Sequence, residues 1–175
     1  SNVTATFGLL TTLTLTTSGP GTITLDPPGG NYSLGTVVTV TATPDSGSRF
    51  DGYSGDLGGS ALSQTITMDA NKTVSGAFVR QYALNVTALG NGNVSLVPPG
   101  GIYDEGALVT VVANPDSGNE FTGFSGDLSG TTNPQTLTMD SDKNVTASFL
   151  QKFALNLTEV GAGTVTLDPP GGLYD

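Results

Sequence analysis

A loop rich in aspartate and glycine occurs twice in the sequence. It reads PDSGSRFDGYSGDL at residues 44–57 and PDSGNEFTGFSGDL at residues 115–128. Loops that present several carboxylate and carbonyl oxygens can bind calcium, which is a hard cation and prefers oxygen ligands. The candidate calcium ligands are the aspartates of the two loops, namely Asp45, Asp51, Asp56, Asp116 and Asp127.

The same loops also have the composition of tight turns. In the segment 44–47, proline presets φ, the Asp and Ser side chains can bond nearby amides, and glycine accepts a positive φ. The segment 52–56 suits a bend around Tyr53, whose ring would pack while the aspartate bonds loop amides. Thr122 replaces Asp51 in the second copy, and the DxDxDG spacing of calcium loops is absent. The turn is therefore the favoured interpretation.

Composition excludes several classes of function. The chain has 175 residues, no His, Cys or Trp, and a net charge of −10. Ser-His-Asp and Cys-His nucleophiles and the usual zinc and haem sites are therefore excluded. Paired carboxylates could hydrolyse glycosides, but a catalytic site copied in every repeat is improbable, so we expect neither an enzyme nor a cofactor. Five basic residues on an acidic chain predict no nucleic-acid partner.

The chain is also expected to lie outside the cell. No apolar run reaches the roughly 20 residues of a membrane span, and the N-terminus does not read as a signal peptide. We therefore expect no membrane insertion of this segment. Thr, Ser, Asn and Gly are abundant while Lys and Glu are scarce, which is typical of extracellular β-proteins. This composition predicts an extracellular or cell-surface location.

Two kinds of covalent modification are suggested by the sequence. Lys72 and Lys143, each in an MDxxK turn, could form isopeptide bonds with acids, although a turn lysine is more naturally a solvated ion-pair partner. N-glycosylation is the other, because Asn-x-Ser/Thr sequons are frequent and several are expected to face water. The candidate acceptors are Asn2, Asn31, Asn71, Asn85, Asn93, Asn144 and Asn156.

The sequence repeats with a period of 71 residues. The tetrapeptide PPGG recurs at Pro27, Pro98 and Pro169 without insertion or deletion. Residues 11–81 and 82–152 are read as full copies, identical at about half of their positions, although units 1–71 and 72–142 also fit the period. Residues 1–10 would end a preceding repeat and residues 153–175 would begin a following one. We therefore expect a longer array that continues at both ends.

Each copy reads as short strands separated by turns. Leu13 and Leu15 alternate with threonines, and Ile23 and Leu25 resume the alternation after the turn SGPG, which predicts a hairpin. No stretch has useful helical periodicity. The fold class is therefore predicted as all-β, a tandem array of small β-rich modules that are β-grasp-like or sandwich-like.

The longest strand is predicted after PPGG, where Val38, Val40 and Ala42 alternate with threonines and Val37. Only the tripeptide VRQ at 79–81 separates the last strand of one copy from the first strand of the next. A flexible linker is therefore absent, and a stiff junction is expected. Two later strands are predicted from the inward positions Ile66 and Met68, and Val74 and Phe78.

The pattern GxxFxGYSGDLxG followed by TxTMDxxKxVxxxF resembles the divergent internalin-B B-repeat, a relative of the Listeria-Bacteroides surface repeats. It runs from FDGYSGDLGG at 50–59 through TITMDANKTVSGAF at 65–78, and both full copies carry it. Tyr53 and Phe124 stand where this family usually has tryptophan. The resemblance implies small β-rich modules in tandem along secreted or cell-surface proteins, with no catalytic residues.

These observations predict a structural or adhesive segment of a long extracellular surface protein or fibre, acting as a stiff spacer or a filament-forming unit. Its partners would be the adjacent repeats of the chain and possible further copies in a fibre. The alternative is a carbohydrate- or ligand-binding surface module that contacts host or environmental glycans. That alternative requires exposed aromatic side chains, and aromatic residues are only 7% of the chain.

Overall fold

The computed structural model describes residues 8–168, 170 and 172–174. The chain divides between Gln81 and Tyr82 into two compact units, which are described separately below. The described residues form strands and turns without a helix, so the predicted all-β tandem array is confirmed. No helix that could span a membrane occurs in this part of the chain.

The strands follow one another in the order of the repeat, and one of them runs across the boundary between the copies. They are β1 Leu10–Ser18, β2 Gly21–Asp26, β3 Asn31–Ser33, β4 Val37–Pro44, β5 Ser48–Gly55, β6 Ser63–Thr67, β7 Lys72–Leu89, β8 Gly92–Val97, β9 Ile102–Asp104, β10 Leu108–Pro115, β11 Asn119–Gly126, β12 Gln135–Thr138, β13 Lys143–Gln151, β14 Phe153–Ala154 and β15 Leu173–Tyr174.

The first unit has one sheet built around a parallel pair of strands. Residues Leu13–Ser18 of β1 pair in parallel with Lys72–Ala77 of β7. On its other edge β7 pairs antiparallel with β5, and the beginning of β1 pairs antiparallel with β3. The first strand of the unit is thus held by the last strand of the same unit.

The second sheet of the first unit is antiparallel, with the order β2-β4-β6. Thr and Val are common in it, and β-branched residues favour strands. Alternation along β4 places Val38, Val40 and Ala42 in the core, as predicted. The other predicted inward residues are also buried, namely Ile66 in β6, Met68 directly after it, and Val74 and Phe78 in β7.

The second unit repeats these pairings at the period of 71, except that β10 and β12 share four register pairs where β4 and β6 share five. Residues Leu84–Leu89 of β7 pair in parallel with Lys143–Ser148 of β13, and β11 pairs with the other edge of β13. The second sheet has the order β12-β10-β8. Its core contains Val109, Val111 and Met139, none of which is exposed. Near the C-terminal end of this unit, β14 and β15 pair antiparallel.

The predicted hairpin of β1 and β2 is wrong. β1 pairs with β3 and β7, whereas β2 pairs with β4 in the other sheet, so SGPG is a corner between sheets. The reason is the ring of Phe78, which lies directly beneath Gly21. Gly19 has φ +76°, and a Cβ at this position would overlap the backbone carbonyl of Phe78. The alternation of apolar and polar residues identified the inward residues correctly. Both sheets face the same core, so this alternation does not reveal to which sheet a strand belongs.

Two further strand assignments differ from the prediction. β4 has 8 residues, whereas β7 has 18 and is longer. The short strand β3 was not predicted, although it buries Tyr32. The hydroxyl of Tyr32 donates a hydrogen bond to the Pro27 carbonyl at 2.8 Å, and burial raises the pKa of this phenol. Tyr103 makes the equivalent bond to Pro98.

Candidate functional site: the repeated aspartate loop

The predicted turn is present but lies one residue later, at Asp45–Ser48, because Pro44 is the last residue of β4. The Ser48 N–H donates a hydrogen bond to the Asp45 carbonyl at 3.1 Å, and Gly47 has φ +72°. In the second copy the Asn119 N–H donates to the Asp116 carbonyl at 3.0 Å. Glycine is needed at this position because L-residues rarely adopt positive φ. Asp45 and Asp116 therefore occupy the turn that connects β4 to β5, or β10 to β11.

The predicted bend around Tyr53 is a strand instead. Residues Ser48–Gly55 pair with β7, and the register shifts between Phe50 and Gly52, where a β-bulge lies. A bulge inserts one extra residue and increases the local twist. The Tyr53 ring is buried as expected and contacts Phe50 edge-on, with 4.6 Å between ring centroids. The glycines of the loop therefore lie in a bulged strand. The sequence alone did not distinguish this strand from a turn.

Asp56 directly follows β5 and joins the end of the loop to the neighbouring strand. Its carboxylate Oδ2 accepts a hydrogen bond from the Thr73 N–H at 2.7 Å, and its own N–H donates to the Thr73 carbonyl at 2.8 Å. Asp127 makes the same two contacts with Asn144, at 2.7 and 2.9 Å. We call this two-bond contact the aspartate clasp. It satisfies edge amides of β7 and β13, not amides of the loop itself.

A lysine ion pair lies beside each clasp. The Lys72 Nζ is 2.7 Å from the Asp69 Oδ1, and the Lys143 Nζ is 2.6 Å from the Asp140 Oδ1. The hydrogen bond to lysine lowers the pKa of each of these aspartates, and the same bond raises the pKa of each lysine. The lysines are therefore ion-pair partners of turn aspartates, as the sequence suggested.

The aromatic position of the loop differs between the copies, and so do the hydrogen bonds at the position that its side chain contacts. The Tyr53 hydroxyl donates to the Leu62 carbonyl at 3.0 Å, and burial raises the pKa of this phenol. Phe124 has no hydroxyl. In the second copy Asn133 takes the place of Leu62, and its side chain exchanges two hydrogen bonds with the Ala113 backbone, at 2.9 and 2.7 Å. Sequence reasoning missed Asn133, which the 71-residue alignment of the copies marks as a changed position.

The calcium candidates are spread along each loop. Asp45 and Asp116 lie in the turn before the bulged strand, and Asp56 and Asp127 form the clasps after it. The Asp51 carboxylate is 2.6 Å from Arg49 in an exposed ion pair. Within the described residues no group of three or more acidic side chains is placed to hold a metal ion. The calcium hypothesis stays a prediction without a ligand cluster to support it.

The sequon asparagines within the described residues all have exposed side chains, as their placement predicted for Asn71 and Asn85; Asn2 lies outside those residues. Asn85 and Asn144 are register partners in the parallel pair of β7 and β13, and the Asn85 Nδ2 donates to the Asn144 Oδ1 at 3.2 Å. The other exposed acceptors are Asn31, Asn71, Asn93 and Asn156.

Comparison with known proteins agrees with this repeated architecture. Residues 11–81 and 82–153 each match the family of the divergent InlB B-repeat domain. A search of curated proteins found no match, and a search of solved structures found none. The matched positions include both bulged loops and both clasps. The chain therefore belongs to the divergent InlB B-repeat family and contains two tandem copies of its domain.

Proposed function

We propose that this chain is a structural segment of an extracellular surface protein or fibre, in which repeated modules provide length. One observation carries the proposal: the two copies have the same strand pairings, the same bulge and the same clasp at a constant spacing of 71 residues. Selection for reach needs many equivalent modules, whereas selection for one binding or catalytic site needs only one.

The segment that joins the two copies supports the proposed role as a spacer. Arg80 is the register partner of Ser48, and the Gln81 N–H donates to the Gly47 carbonyl at 2.8 Å, so both belong to the first unit. The Ala83 N–H donates to the Asp142 carboxylate at 2.8 Å in the second unit. Few residues are left without a backbone partner, so little chain is available as a flexible linker.

The test is the dependence of length on copy number. Proteins with one and two additional copies of residues 82–152 would be compared by small-angle X-ray scattering. A spacer predicts that the maximum dimension rises by a constant increment with each added copy. A dimension that stays constant would contradict the spacer role. Electron microscopy of the same samples separates a fibre, which gives ordered filaments, from a stalk, which gives single molecules.

We also propose that the exposed sequons are glycosylated when the host has the enzymes. Support comes from the exposure of the described acceptors and from the polar, uncharged strand faces around them. Intact mass of the exported protein tests this. A mass equal to that of the bare polypeptide would contradict glycosylation and leave the spacer proposal unaffected.

The glycan-binding alternative requires exposed aromatic platforms. Tyr53 and Phe124 lie in the cores, as do Tyr32 and Tyr103. A glycan array with the intact chain would decide between the two readings, because reproducible binding to a defined sugar would favour the alternative.

A further inference from the structure

The first unit leaves one side of its core incompletely covered. A groove of about 370 Å³ lies between the first and second strands, and we call it the β1–β2 groove. Its leucine and isoleucine side chains are only half-buried, although they pack against the core cluster. The groove is lined by Leu15, Ile23, Thr24, Leu25, Pro28 and Gly29.

The second unit has the same open side. Val86, Val94 and Leu96 occupy the positions of Leu15, Ile23 and Leu25 and are also half-buried against their core. Most of the other large core residues of both units are buried. The partial exposure is therefore a property of the repeat and not of one copy.

The β1 edge that borders the groove has backbone groups free to pair. The Leu13 N–H donates to the Gly30 carbonyl on the β3 side, at 2.8 Å, whereas the Thr12 N–H points to the β7 side. Backbone groups alternate between the two sides of a strand, so those of Leu15 and Thr17 face the β3 side. β3 pairs only with Leu10–Thr12, and no described strand continues along this edge.

The other wall of the groove is also a strand edge. β2 pairs with β4, and no strand in the described part of the chain pairs with its opposite edge. Edge strands are usually protected by lysine, proline or a bulge. β1 and β2 contain no lysine, arginine or proline, and Asp26 is their single charged residue. An apolar groove beside an unprotected edge is the arrangement that binds extended peptides by strand addition.

We propose that the β1–β2 groove and its counterpart in the second unit each bind an extended polypeptide segment that adds to the free strand edge. Apolar side chains at alternate positions of the segment enter the groove, and lysine or arginine flanks it. The charge follows from the chain, which has 15 acidic and 5 basic residues. A second copy of this chain would bring its own net charge of −10 and would be repelled. A cationic segment is therefore the better electrostatic match. This inference goes beyond the spacer role and does not depend on it.

The probe is a capped synthetic peptide of sequence KKVTVTVKK, titrated into the intact chain and followed by amide NMR signals. Binding should shift the signals of Leu15 and Thr17, and of Val86 and Ala88 in the second unit. Affinity should fall as salt is added, since the attraction between charges is screened. A peptide with glutamate flanks, and one with proline for the central valine, should each bind at least about tenfold more weakly, a loss of about 1.4 kcal/mol.

Charge variants of the chain give the matched comparison. Thr17 and Ala88 are equivalent exposed positions on the groove side of the free edge. Thr17→Lys with Ala88→Lys should weaken peptide binding about tenfold or more, whereas Thr17→Glu with Ala88→Glu should maintain or strengthen it. Thr65→Lys, on an exposed position of β6, should have little effect.

Three results would overturn the proposal. The first is no binding of the peptide, and the second is equal binding of the proline and glutamate peptides. The third is that sedimentation shows the chain alone dimerising, with dimerisation abolished by the lysine variants, because the occupant would then be a second copy. Unfolding curves of each variant confirm that a loss of binding is not a loss of fold.

Discussion

The carboxylate of Asp56 accepts a hydrogen bond from the backbone N–H of Thr73, 17 residues further along the chain, at 2.7 Å. The Asp56 N–H returns a bond to the Thr73 carbonyl. Thr73 lies on the edge of β7 that faces β5, just beyond the last ladder pair, Gly55 with Val74. The clasp thus closes the end of this ladder, and Asp127 does the same in the second unit.

Loss of the clasp should destabilise the unit that contains it. Asp56→Ala removes a charged acceptor and leaves the Thr73 amide to water, so we expect a loss of about 1–2 kcal/mol in the free energy of unfolding. Asp56→Asn keeps an acceptor oxygen and should cost less. Urea unfolding monitored by hydrogen exchange, which reports on each unit, is the measurement. Asp51→Thr, which copies the second unit, is the control and should stay within about 0.5 kcal/mol of the parent.

Acid should weaken the turns that contain the lysine pairs. The pKa values of Asp69 and Asp140 are lowered in the folded protein by hydrogen bonds from lysine. Their contribution to stability is therefore complete above the unfolded pKa of about 3.9 and is lost as pH falls through the lowered folded pKa. Melting temperatures measured from neutral pH into this range should decrease less in the double variant Asp69→Asn, Asp140→Asn. An identical decrease in both proteins would contradict the role of these pairs.

A pair of core positions should show coupled energetics. A Cβ added to Gly76 would lie 2.5 Å from the Cδ1 of Ile23, whereas the second unit has Ala147 and Val94 at these two positions. Gly76→Ala alone should cost about 1–2 kcal/mol because the core becomes overpacked. Adding Ile23→Val removes the methyl group in the way and should restore most of that loss. Unfolding free energies of the four proteins in this double-mutant cycle give the coupling, and additivity would refute it.

The corner between the sheets should tolerate no side chain. Gly19 has φ +76°, and a Cβ there would overlap the carbonyl of Phe78, so Gly19→Ala should cost several kcal/mol or prevent folding of the first unit. Gly35 has φ +85° and nothing within 4 Å of an added Cβ. Gly35→Ala should therefore cost only about 1 kcal/mol, from backbone strain alone. Equal effects of the two variants in thermal unfolding would contradict the steric explanation.

Local patterns in the sequence predicted the core better than the topology. Alternation identified Val38, Val40 and Met68 as inward residues because burial on one face of a strand has a period of two. It could not reveal that β1 pairs with a strand 59 residues away, since a pairing partner leaves no local signal. The clasp was missed for the same reason, because its acceptor and donor lie in different segments of the repeat.

The parallel pairing of the first and last strands has a consequence for a chain under tension. A pull on the N-terminal end of β1 and on the C-terminal side of Ala77 acts along both strands in opposite directions. The six paired positions from Leu13 to Ser18 are then loaded together in shear, so their hydrogen bonds are not broken one after another. Leu84–Leu89 and Lys143–Ser148 repeat this geometry, so a pull along the second module would also load its parallel pair in shear.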